Sequence, residues 1–198
     1  MLTKFDILLQ KIANWKTVLG LFVISFPIGY FIDNQMFYML PRFDYLYSYD
    51  FETTNRLISY MQLAGELKAY ITYELTFQIF FPLNTALFFV MFIYNSGFNL
   101  LPKNALVPIA LIIPIVTLLV DYLENAGLII LLYSYPSKLI TVAEITSGFA
   151  TIKGFLWQVE EYVFIVGIAI YIFKTLRFVI NKMDILKKTE SADEHGDL

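Results

Sequence analysis

Residues 105–133 read ALVPIALIIPIVTLLVDYLENAGLIILLY, and this stretch decides the fold. Its only charges are Asp121 and Glu124. As a helix rising roughly 1.5 Å per residue it would exceed the ~30 Å hydrocarbon core of a bilayer, so it must tilt, kink or protrude. Pro108 and Pro114 fall in its first half. Asp121, Glu124 and Asn125 stand at i, i+3 and i+4, on one helical face. The apolar run LIILLY follows them and places them within the membrane, whereas a span over 105–124 would leave them at its outer interface.

The composition agrees with this reading. The 198 residues are 58% hydrophobic and 16% charged, against roughly 45–50% and about 25% for an ordinary soluble domain. Abundant aromatics, 19 Phe and 14 Tyr, argue against disorder. There is no cysteine, which excludes disulfides, thiolate nucleophiles and thiolate-held metals. The single histidine, His195, lies in the charged tail, so the body has no material for a Ser-His-Asp triad or a histidine proton relay. Acid–base work would fall to Asp, Glu, Lys or Tyr. The net charge of −3 leaves no nucleic-acid footprint.

Outward from that stretch, spans are expected over about 16–33, 73–95, 105–133 and 145–174. Trp15 and Tyr30 flank the first in an aromatic-belt pattern. No small-x-small cleavage site follows it, so it reads as an uncleaved span. Before it, Phe5, Leu8, Leu9 and Ile12 share a face, as an interfacial helix or a simple extension of the span. Pro82 predicts a kink in the second span. Residues 51–70 read as an amphipathic helix with Leu57, Met61, Ala64 and Leu67 on one face, lying along the membrane or capping the bundle. Residues 181–198 read as a charged, disordered cytoplasmic tail. The fold class is thus an all-α polytopic membrane protein, a four-helix bundle with an interfacial helix after the first span. With the N-terminus inside, nine Lys and Arg fall on the cytoplasmic side and four opposite, which favours both termini in the cytoplasm of a cell-membrane protein.

Charges within spans cost roughly 2.5–3.5 kcal/mol each on insertion scales and raise the question of a site. The fourth span carries Lys153, Gln158, Glu160 and Glu161. Counting equally outward from a turn centred near residue 137 puts Lys153 opposite Asp121, which predicts a salt bridge to Asp121 or Glu124. Glu74, Gln78 and Thr85 recur on one face of the second span. Five acids against one lysine need protonation, hydration or a bound cation, and of Glu160 and Glu161 only one should face the cluster. The bland alternative is polar glue between helices, at roughly 0.6–2 kcal/mol per contact.

The segments LKAYITYELTFQIFFP and VDYLENAG, with Thr151-Ile152-Lys153, resemble an uncharacterised group of four-helix bacterial membrane proteins with Asp-x-x-Glu-Asn in the third span. The likeness covers roughly residues 60 to 155. Phe81-Pro82, Asp121, Glu124, Asn125 and Lys153 match it, while Gln78 stands where an acid is expected. It implies the fold and carries no activity.

The leading expectation is a binding or transport-related protein for a small polar molecule, a cation or a lipid headgroup. Its site would be Asp121, Glu124, Asn125, Lys153, Glu160 and Gln78, with no metal centre and no cofactor. One alternative is a membrane enzyme using a carboxylate as acid or base on a lipid or isoprenoid. Another is an assembly subunit presenting the acids outward.

Overall fold

The computed structural model describes residues 11–31, 43, 46–96 and 106–196, with side chains over 110–183 in the last segment. Among these residues every regular element is a helix. Helix α1 spans Trp15–Phe31 and is short and apolar. Asn14 starts it, its side-chain oxygen accepting from Thr17 N at 3.0 Å. Lys11 and Ile12 are helical and the helix breaks before Asn14, so α1 does not simply extend backward; the rest of that N-terminal segment lies outside the described residues. Pro27 lacks the N–H that an α-helix needs, and the chain absorbs it as a π turn at Ile24–Ile28.

Helix α2, Phe51–Leu63, buries Thr54, Leu57, Ile58 and Met61, one helical stripe. The amphipathic helix expected over 51–70 is in fact divided. Gly65, at φ +75°, ends α2 in a left-handed turn. Its N–H reaches the Gln62 carbonyl at 3.1 Å, and Glu66 N reaches the Met61 carbonyl at 2.9 Å, closing a Schellman cap. Ala64 is therefore exposed, and Leu67 begins the next helix.

Three long helices follow: α3 (Leu67–Ser96), α4 (Leu106–Ser134) and α5 (Ile140–Gly196). Each contains a stretch long and apolar enough to cross a membrane: Leu67–Ser96, Ala110–Ser134 and Ile140–Met183. Beyond the expected end of the fourth span, α5 continues through the segment read as a disordered tail. That segment has no proline, and its Lys, Glu, Leu and Ala residues favour helix. Along α5, Ile165, Phe173, Leu176 and Phe178 are exposed apolar side chains.

Two apolar cores bind the helices. One holds Tyr70, Tyr73, Leu128, Leu132 and Ala143, with Leu57, Ile58 and Met61 of α2 packed onto it. So α2 caps that end of the bundle, and Ser59 Oγ meets Tyr135 Oη at 2.8 Å beside the α4–α5 turn. The other core joins Val18 of α1 to Phe88, Phe92 and Ile93 of α3, with Phe164 of α5 against it. Phe92 and Phe164 pack ring to ring at 4.6 Å. Between these cores in sequence fall most of the buried polar residues of the long helices, Ser96 and Thr146 excepted.

Candidate functional site

The polar layer is built from one segment of each long helix. On α3 it holds Glu74, Gln78 and Thr85, on α4 Thr117, Asp121, Glu124 and Asn125, and on α5 Lys153 and Glu160. All but Lys153 are buried, Glu124 completely. Helices α4 and α5 run antiparallel from a short connection, so residues equally distant from it share a depth. Lys153 accordingly meets α4 where that counting puts it. Its Nζ lies 2.5 Å from Glu124 Oε2 and 3.4 Å from Asp121 Oδ1. Glu124 is the tight partner and Asp121 the loose one.

Asn125 has a different task. Pro82 cannot donate to the carbonyl four residues back, which is that of Gln78. Asn125 Nδ2 donates to that carbonyl instead, at 3.2 Å. One residue on, Tyr122 Oη donates to the Ile79 carbonyl at 2.7 Å. Two side chains at i and i+3 on α4 thus clasp the proline-bearing stretch of α3. Gln78 itself donates from Nε2 to Tyr73 Oη at 3.1 Å. Asn84 points away from the layer, toward α1, donating to Ser25 Oγ at 2.5 Å and to the Leu21 carbonyl at 3.2 Å.

Glu160 stands apart from the lysine. It is seven residues beyond Lys153, roughly two turns or 10.5 Å along α5, so one stripe cannot bring both to one point. It lies instead within hydrogen-bonding reach of Thr117, with Asp121 in electrostatic range. Thr117 is one turn before Asp121 on α4. Glu161 is exposed.

A cavity of about 530 Å³ opens beside this layer between α1, α3 and α5. Asp121, Lys153, Gln78, Gln158 and Glu161 supply its polar wall, and Phe26, Tyr47, Tyr73, Phe77, Phe81 and Trp157 much of the rest. Tyr73, Phe77 and Phe81 form a stacked ladder, each step 5.2 Å between ring centres. The cavity joins one loosely held carboxylate and one ammonium to an aromatic wall, which suits a polar head attached to an apolar body.

Of the six predicted site residues, Asp121, Lys153 and Gln78 line the cavity. Glu124 lies behind as the lysine's anchor, Asn125 serves the carbonyl that Pro82 leaves without its donor, and Glu160 belongs to a separate pocket of the layer. Sequence reading missed Tyr122, Thr117, Tyr73 and Ser25. Thr117 was visible one turn before Asp121, and a proline in a span already demands a donor from a neighbouring helix. Among the described residues no group of three or more His, Asp or Glu side chains is placed to hold a metal ion. No protein-family model, curated protein or solved structure matches this chain, so the resemblance to four-helix bacterial membrane proteins rests on the quoted residues alone.

Proposed function

We propose that this chain is a four-span integral protein of the cell membrane, with both termini cytoplasmic, that binds a small molecule or lipid by its polar headgroup. The observation that carries the reading is the 530 Å³ cavity with Asp121 and Lys153 in its polar wall and aromatic rings over the rest. Ligand pockets typically measure about 300–1,000 Å³ and are mostly apolar with a few placed polar groups. Lys153 is already held by two carboxylates, so the cavity favours the positive end of a headgroup, which the aromatic faces also attract.

The membrane assignment is supported by the three long apolar helices and by α1, whose length falls near the short end of the ~17–25 residues a span needs. Exposed apolar side chains on α5 have a natural solvent in lipid. Asp121, Glu124 and Glu160 are buried inside the bundle, which speaks against an assembly face built from them. The nine-to-four Lys and Arg asymmetry supports the orientation.

Native mass spectrometry after extraction in a mild detergent tests the reading. The wild type should carry a bound species, and its mass separates lipid from free small molecule. Asp121→Asn should lose it, while the surface control Lys68→Met keeps it. Bare protein in all three, with Asp121→Asn merely unfolding sooner, would leave Asp121 a structural residue.

A further inference from the structure

A second and far smaller space adjoins Asp121. It is a void of about 10 Å³ where the proline-bearing parts of α3 and α4 meet α5, with Pro82 and Pro114 in its lining. That is room for a single water-sized guest. Its polar lining consists of Thr85, Thr117, Asp121 and Glu160.

Two of these groups leave an oxygen unsatisfied. Thr85 Oγ1 and Glu160 Oε1 are buried and have no hydrogen-bond partner among the described residues. Thr85 is 4% exposed and Glu160 2%. Other buried threonines behave differently: Thr54, Thr117 and Thr146 each donate to the carbonyl four residues back. Thr85 makes no such bond and lines the void instead. Buried polar atoms rarely go unpaired, and each that does calls for an unseen partner.

We propose that this void is a binding site for one dehydrated sodium ion, held by the Asp121 and Glu160 carboxylates and the Thr85 and Thr117 hydroxyls. The donors are all oxygen, which suits a hard cation. Lys153 pairs with Asp121 and Glu124, and among the described residues no cationic side chain pairs with Glu160, so a cation supplies the buried carboxylate with a counter-charge that a water cannot. Thr117 donates its proton to the Ile113 carbonyl and keeps its lone pairs for a metal. A divalent ion is poorly served, since Mg²⁺ retains several waters and Ca²⁺ takes about 6–8 oxygens, and neither fits this volume. Potassium is larger than sodium and would have to spread the helices.

The site stands independently of any ligand in the larger cavity, although Asp121 lines both spaces. A cation in the void lowers the negative charge that Asp121 offers to the cavity.

Thermal unfolding of the purified protein in detergent, at equal ionic strength in sodium, potassium or choline chloride and without any organic ligand, tests the proposal. Sodium alone should raise the midpoint, saturating with concentration as a ligand of the native state does. Thr85→Val and Glu160→Gln should each weaken half-saturation about tenfold or more, as loss of a bond to a charged partner implies. Thr85→Ser, which keeps the hydroxyl, should retain the response; if Glu160→Gln fails to fold, the Val and Ser pair at residue 85 decides. Equal midpoints in all three salts, or a sodium response unchanged by Thr85→Val, would overturn the site.

Discussion

Asn125 of α4 donates the hydrogen bond that Pro82 of α3 cannot, reaching the Gln78 carbonyl at 3.2 Å. In the middle of a bundle that carbonyl has no water to turn to, so the proline and the amide are interdependent. Asn125→Leu should therefore destabilise the protein by about 1–3 kcal/mol, the penalty for an orphaned buried acceptor. Pro82→Ala restores a backbone donor, and in that background Asn125→Leu should cost much less. A double-mutant cycle on unfolding midpoints in detergent reads the coupling; additive effects would mean the two residues are unrelated.

The lysine in the layer should be more valuable than either of its partners alone. Lys153→Met leaves two buried carboxylates facing each other, and breaking a buried pair costs about 3–5 kcal/mol. Because Nζ is 2.5 Å from Glu124 and 3.4 Å from Asp121, Glu124→Gln should destabilise more than Asp121→Asn. The same unfolding assay ranks the three, and the reverse order of the two acids would contradict the geometry.

Much of this layer was legible before the structure. Charge inside apolar runs marked Asp121, Glu124 and Lys153, and two antiparallel helices from one short turn fix relative depth by counting alone. What counting cannot supply is rotation about the helix axis. Whether Asn125 faces a ligand or the Gln78 carbonyl depends on that rotation, and so does the placing of Glu160 against Thr117. Other misses come from single residues with local authority. Gly65 splits a segment whose apolar pattern runs straight through it, because a left-handed turn outweighs amphipathic periodicity. Pro27 sits in a uniformly apolar stretch, where nothing in hydropathy distinguishes a π turn from an α turn.

At the start of α2, Asp50 Oδ1 accepts from Thr53 N at 2.7 Å. That backbone bond, aided by the Thr53 side chain, holds the Asp50 carboxyl below its ordinary value of 3.8. A lowered folded value means stabilisation that is complete above the unfolded value and is lost as pH falls through the folded one. The wild type should therefore lose stability relative to Asp50→Asn as pH drops below about 4, while the difference stays constant from there to neutrality. Asparagine caps helices well and does not titrate, so the difference isolates this carboxylate. Unfolding midpoints of the two proteins across that range test it, and parallel curves down to about pH 2 would remove Asp50 as the cause.

Gly127 sets how closely α4 and α5 approach, and that approach is what lets Lys153 reach across to α4. A Cβ at residue 127 would overlap the Thr146 hydroxyl and crowd its methyl and Cβ, at 2.9 and 3.0 Å. Thr146 is 1% exposed and its hydroxyl is fixed to the Val142 carbonyl, so it has nowhere to turn. Gly127→Ala should destabilise by about 1–3 kcal/mol through overpacking. Thr146→Ala removes the two nearest atoms, and the double variant should recover most of that loss. If the helices instead separate to make room, the Lys153 contacts lengthen too, and Lys153→Met should then cost less in the Gly127→Ala protein than in the wild type. Measuring Lys153→Met in both backgrounds distinguishes a local clash from a shift of the whole α4–α5 pair.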